Sequence, residues 1–171
     1  MNKRVKIVNY KSQVSYRHEA NPFLNEPGAT VIVHRGVARS IAIACPDGCG
    51  EQLTINLDPR AGPAWRYYLS EKDLSIYPSV WRDTGCKSHF IVWKSKIYWC
   101  DWHDQLDLAN DDTVKQTRLV LTYEFVSYVA IADSLNLIPW TVLSACNSLV
   151  KSGIAERGVK NLSGSFKLKI K

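Results

Sequence analysis

Two short stretches carry the residue types from which a metal centre is built: Cys45-Pro-Asp-Gly-Cys49-Gly and Gly85-Cys86-Lys-Ser-His89. Each is a glycine-containing turn that holds two soft ligands a few residues apart. Such a turn leaves backbone N–H groups directed at the sulfurs, and two of them supply the four tetrahedral ligands of a zinc ribbon. Thiolate and imidazole without carboxylate select zinc over magnesium or calcium. The expected ligands are therefore Cys45, Cys49, Cys86 and His89, with Cys100 as the alternate that would make a four-cysteine site. A complete set of four is structural and contributes to folding, whereas a set short of one ligand leaves a position for hydrolytic water. Cys146 lies on the apolar face of a helical segment and reads as a small buried hydrophobe.

The same residues allow two nucleophilic readings. In one, Cys86 or Cys49 attacks with His89 as base. In the other, Ser88 or Ser79 is the nucleophile, with His89 and Asp83 as partners. Ser88 and His89 are adjacent, and neighbours on a strand point to opposite faces. A second histidine, His34 or His103, would then have to serve Ser88. His18, His34 and His103 otherwise read as surface or loop residues.

These residues must be carried by short strands. Val5-to-Ile7 and Val31-to-Val33 form two, separated by a loop from Asn21 to Gly28 with two prolines. Ser40 to Ala44 and Gln52 to Leu57 alternate in polarity on either side of the first cysteine turn, which predicts a hairpin with cysteines at its tip. Trp65 to Leu69, Leu74 to Tyr77, Phe90 to Trp93 and Ile97 to Cys100 are further strands, the last two joined by Lys94-Ser95-Lys96. The period changes after residue 112. Tyr128, Ile131, Ala132 and Leu135 share one helical face. Pro139 opens a second helix that ends at Lys151 and Gly153. A helix over 114–126 precedes them, and a hairpin over 154–171 follows.

The expected class is α+β: a zinc-ribbon-like antiparallel β domain over 1–104, an acidic linker over 105–112, and a winged helix-turn-helix over 113–171. No apolar run is long enough to cross a membrane, and the basic start lacks the apolar core of a secretory signal. The expected compartment is the cytoplasm.

Charge and aromatic residues divide along the same boundary. The chain carries a net charge of +6. Residues 113–171 hold eight Lys and Arg against three Asp and Glu, so nearly all the excess lies there. Lys151, Lys160, Lys167 and Lys169 are the candidates for gripping nucleic-acid phosphates. The second helix of the pair argues against base reading, since its middle offers only Thr141, Ser144, Asn147 and Ser148 as polar groups. Ten of the 18 aromatic residues fall between Trp65 and Trp102. Trp81, Phe90, Trp93 and Trp99 are the candidates for contact with a protein partner.

The runs Ile55-Asn-Leu-Asp-Pro-Arg-Ala-Gly-Pro-Ala-Trp65, Tyr77-Pro-Ser-Val-Trp-Arg-Asp-Thr-Gly-Cys-Lys-Ser-His-Phe90 and Ile97-Tyr-Trp-Cys100 resemble a family of bacterial proteins of unassigned activity. Its members share a Cys-Gly-Cys-Gly-like turn followed by a Cys-x-Ser-His segment. The resemblance covers residues 30–100. It implies a place beside bacterial ubiquitin-like conjugation genes, those for E1-like and E2-like proteins, some linked to phage defence. Some relatives have a further cysteine where Asp47 stands here and lack the one at position 100. The expected function is a zinc-binding protein-interaction component of that pathway: an adaptor, a ligase-like factor or a peptidase removing the modifier. Its expected partners are E1-like, E2-like or ubiquitin-like proteins. The other expectation is a winged-helix nucleic-acid binder with a structural zinc.

Overall fold

Alternating β-branched and small residues over the first third of the chain build a four-stranded sheet. In the computed structural model, which describes residues 4–100 and 109–170, its strands are β1 (Asn9–Val14), β2 (Ala29–Arg35), β3 (Val37–Ala44) and β4 (Gln52–Asn56), in that order. β3 pairs antiparallel with both β2 and β4, placing Ile41 opposite Ile32 and Ile55. One pair corrects the expected all-antiparallel domain: β1 runs parallel to β2. A parallel neighbour needs a crossover, and residues 15–28 supply it, with a 3₁₀ helix over Arg17–Phe23 that runs into the loop expected over Asn21 to Gly28. Ala20 and Leu24 from this crossover pack on Ala29, Val31, Ala42 and Ala44 and cover one face of the sheet.

The aromatic third of the chain makes the second sheet: β5 (Arg66–Ser70), β6 (Asp73–Trp81), β7 (His89–Trp93) and β8 (Lys96–Trp99), all antiparallel. Lys94 and Ser95 both have positive φ (47° and 61°) in the two-residue turn between β7 and β8. That is the geometry whose twist matches the strands it joins. The two sheets share one core. Ile32, Ile41, Ile43 and Ile55 of the first meet Leu74, Ile76, Phe90, Val92 and Trp99 of the second. Fused in this way, the sheets depart from a simple two-hairpin ribbon. Three of the four aromatic residues expected as partner contacts are consumed by burial, since Phe90, Trp93 and Trp99 are buried; Trp81 remains 70% exposed.

Asp58 locks the exit from β4. Its buried carboxylate accepts hydrogen bonds from Arg39 Nη1 at 2.5 Å and from the Arg60 backbone N and Nε at 3.1 and 2.8 Å. The Arg60 side chain above all holds this carboxyl well below the usual carboxylate range. A depressed folded pKa stabilises above the unfolded value, near 3.9, and that contribution is lost as pH falls through the folded value. Asp58→Asn is therefore expected to melt earlier than the parent at neutral pH, with the gap narrowing below about pH 4; thermal melts across that range check it.

The chain divides into two compact units, Met1–Gln105 and Leu106–Lys171. The second contains α1 (Asp111–Val120), β9 (Val126–Ser127), α2 (Tyr128–Leu135), α3 (Pro139–Lys151), β10 (Ala155–Arg157) and β11 (Ser165–Leu168), the strands forming a sheet in the order β10-β11-β9. The expected helix over 114–126 starts earlier and stops sooner. Asn110 Oδ1 caps the Thr113 amide at 2.8 Å, and Asp111 and Asp112, counted above with the acidic linker, form the first turn, where carboxylates favour the helix dipole. The rest of that linker and His103 lie outside the described residues, apart from Ala109 and Asn110. Val142, Ala145, Cys146 and Leu149 make the buried stripe of α3, and burial pushes the Cys146 thiol up to about 12, as suits a packing residue. Among the described residues no single helix is long and apolar enough to cross a membrane.

Candidate functional site: three thiols beside a serine–histidine pair

Where β3 hands over to β4, Pro46 to Gly50 turns the chain so tightly that Gly48 donates back to the Cys45 carbonyl at 3.0 Å. Gly48 and Gly50 take positive φ (80° and 84°), a conformation open to glycine at little cost. The Cys45 amide bonds the Glu51 carbonyl at 2.8 Å, which closes the turn. From the other sheet, the connection between β6 and β7 brings Cys86 to the same point. Cys45 and Cys86 Sγ are 3.6 Å apart. With Cys49 they form a group whose three sulfurs all lie within 4.8 Å of one another.

This is a donor set that can hold a metal ion. Two thiolates bound tetrahedrally at about 2.3 Å from zinc sit about 3.8 Å apart, close to the separation observed, and an all-sulfur set favours soft or borderline ions. His89 and Cys100 are not in this group. Its surroundings suit negative sulfur. Ser88, fully buried, sets its hydroxyl 3.3 Å from Cys86 Sγ and 3.8 Å from Cys45 Sγ. Arg82 Nη1 donates to Cys86 at 3.3 Å and Cys49 at 3.6 Å, and its Nη2 pairs with Glu51. Burial opposes ionisation of Cys86, but hydrogen bonds from the hydroxyl and amide of Ser88 and from Cys45 and Cys49 together outweigh it and lower the thiol; deeper burial raises Cys45. Burial also works against the Arg82 charge, and the Glu51 carboxylate and Cys86 reverse that effect, raising its pKa.

Ser88 is thus a partner of sulfur rather than a nucleophile facing solvent, and Asp83 is exposed, with no hydrogen bond to His89. The histidine has another companion. His89 Nε2 lies 3.0 Å from Ser79 Oγ. A change of register makes this meeting possible. Ile76 pairs with Val92 and Val80 with Phe90, so Tyr77, Pro78 and Ser79 occupy the space where β7 offers only Ile91. Trp81 pairs directly with His89, and its ring lies 6.0 Å from the imidazole, so Ser79, Trp81 and His89 open on one side of the sheet. The strand around Ser79 is tied down by Trp65 Nε1, which donates to the Ser79 carbonyl at 3.2 Å. The Cys100 amide does the same for the His89 carbonyl at 2.9 Å. Among the described residues, Ser79 is the hydrogen-bond partner of the His89 ring. His34 stands on β2 in the other sheet.

Sequence reasoning missed the parts played by Arg82, Glu51 and Ser88. The signal for Arg82 was thin, an arginine four residues before a ligand-type cysteine.

Residues 17–100 match the family model described as "Bacterial ubiquitination-like system serine protease (BubE)". The matched segment contains all three clustered thiols together with Ser79 and His89. It agrees with the resemblance read from the cysteine and Cys-x-Ser-His runs, and it ties this unit to a bacterial ubiquitination-like system and so to protein partners in that pathway. No curated protein and no solved structure matches the chain.

Proposed function

We propose that the chain is a serine peptidase that cuts conjugates of a ubiquitin-like modifier, with Ser79 as nucleophile and His89 as its base. The observation that carries this reading is the 3.0 Å contact between Ser79 Oγ and His89 Nε2, inside the segment matching a family described as a serine protease. A base within hydrogen-bond reach of a hydroxyl is what activates serine. With the ring proton on Nδ1, Nε2 takes the Ser79 proton as Oγ attacks the scissile carbonyl. The imidazolium then returns that proton to the leaving amine, and an acyl-serine remains. Water, deprotonated by the same nitrogen, attacks this ester, and the imidazolium returns the proton to Ser79 Oγ as the carboxyl product leaves. Incubating purified protein with a modifier fused through its C-terminus to a reporter tests the reading: cleavage that depends on Ser79 supports it.

In this reading the three thiols hold zinc, and its role is to build the site. When bound, the ion would supply a cross-link between the two sheets; the three sulfurs leave its fourth position to a further ligand, and the proposed reaction runs through Ser79 and His89 instead. Cys86 lies in the connection that leads into β7, three residues before His89, the first residue of that strand. Tying Cys86 to Cys45 and Cys49 fixes the entry to β7, and so the direction from which His89 meets Ser79.

Trp81 is the partner contact of this unit, exposed and ring-to-ring with His89. Trp81→Ala is expected to raise KM about tenfold with little change in kcat, because it removes binding area and touches no proton transfer; steady-state kinetics on the fusion check the split.

The C-terminal unit is read as a winged helix-turn-helix that faces protein rather than DNA. Asn147, the best base-reading candidate on α3, is engaged by Arg157 Nη2 at 2.6 Å. Lys167 is paired with Glu156 at 3.3 Å and sits 5.0 Å from the Phe125 ring. Of the phosphate candidates, this leaves Lys151, Lys160 and Lys169, a weak grip for nucleic acid. A part in phage defence belongs to the same reading, and plaque counts on cells carrying the intact and the Ser79-substituted gene test it.

A further inference from the structure

Outside the matched segment, the C-terminal unit carries an open groove of 1090 Å³. Three chain segments line it: the end of α1 with the turn after it, the turn after α3, and the end of β11. They are strapped together by backbone hydrogen bonds. Leu168 donates to the Thr122 carbonyl at 2.7 Å, and Lys169 donates to the Ile154 carbonyl at 3.0 Å. The floor is therefore preformed, which lowers the ordering cost of anything that docks there.

The lining is both apolar and cationic. Leu119 is 84% exposed, Ile170 71% and Tyr123 64%. Isolated exposed apolar residues are ordinary, but these three share one concavity, and grouped exposure of this kind marks an interaction surface. Arg118 and Lys169 line the same groove, and among the described residues no carboxylate does. Both are exposed, and among the described residues neither has an ion-pair partner. The surrounding sequence is itself strongly basic.

We infer that this groove docks an extended segment of a partner protein that carries apolar side chains and carboxylates together. Leu119, Tyr123 and Ile170 take the apolar groups, and Arg118 and Lys169 take the acidic ones. A nucleic acid would satisfy the two cations but would press phosphate and sugar against Leu119 and Ile170, so the apolar content decides for a peptide. The site belongs to a different unit from the serine–histidine pair, so it is a recruitment surface, separable from cleavage.

The test uses the full chain and fluorescence anisotropy. The probe is a short fluorescein-labelled peptide with leucine and phenylalanine interspersed with glutamate. One control replaces glutamate by lysine, a second replaces the apolar residues by serine, and a third is a DNA duplex. Saturable binding of the acidic apolar peptide is expected, weakened about tenfold or more by Leu119→Ser and by Arg118→Glu. Both positions are exposed, so circular dichroism should be unchanged in both variants. The inference is overturned if no binding saturates up to about 1 mM peptide. It is also overturned if the lysine peptide binds as well, if neither substitution weakens binding, or if the duplex displaces the peptide.

Discussion

Replacing Ser79 by alanine is expected to lower cleavage of a modifier fusion by at least about 10³-fold while leaving the melting temperature and metal content unchanged. Ser79 is half-buried at the sheet surface, so the alanine creates no large cavity. His89→Ala is expected to cost as much, because a base and its nucleophile act as a unit, and Ser79→Ala with His89→Ala should be no worse than either alone. The histidine variant also separates two roles proposed for one residue. Its ring lies on Ser79 and not among the clustered thiols, so His89→Ala should keep its metal. Loss of metal from that variant would return His89 to the ligand set and remove the base from the mechanism. Kinetics and elemental analysis on the same preparation decide between the two.

Cys45→Ser and Cys86→Ser are expected to have the largest effect on stability. Each removes one of the three clustered sulfurs and leaves the other two close together, with the part-buried Arg82 guanidinium beside them. A metal held by the three sulfurs would then no longer link the turn after β3 to the connection before β7. A loss of about 3 kcal/mol or more, seen as a fall of about 10 °C or more in melting temperature, is expected, with aggregation of the first unit. Cleavage should fall with folding and not apart from it. A Cys86→Ser protein that melts like the parent yet cuts nothing would instead make the metal a participant in the chemistry. Cys100→Ser, outside the cluster, is expected to leave metal content unchanged.

The thiol cluster was legible because turns announce themselves. Cys45-Pro-Asp-Gly-Cys49-Gly has glycines where the chain needs positive φ, and the alternating runs on either side could only be β3 and β4. The helices α2 and α3 were legible for a similar reason: one apolar face each, with Pro139 opening the second and Gly153 following its end. The serine–histidine pair was hard to see because strict alternation does not describe it. Three residues, Tyr77 to Ser79, stand against one on β7, and no pattern of residue types encodes that count. Ser88 is adjacent to His89 in sequence, yet its buried hydroxyl lies against the sulfurs. Pairing of Phe90 and Trp99 across strands, rings 5.6 Å apart, explains why aromatic richness here was core and not surface. The parallel addition of β1 to β2 depended on a crossover helix containing Pro22, which reads as a loop.

The central claim is that Ser79 is a nucleophile made reactive by His89. Treating the protein with a fluorophosphonate and mapping the adduct by mass spectrometry tests it most directly, since such reagents phosphonylate activated serine. A single adduct on Ser79, absent from His89→Ala and matched by loss of cleavage, is the predicted result. Cleavage that survives complete modification, or persists in Ser79→Ala and disappears only when metal is removed, would contradict it.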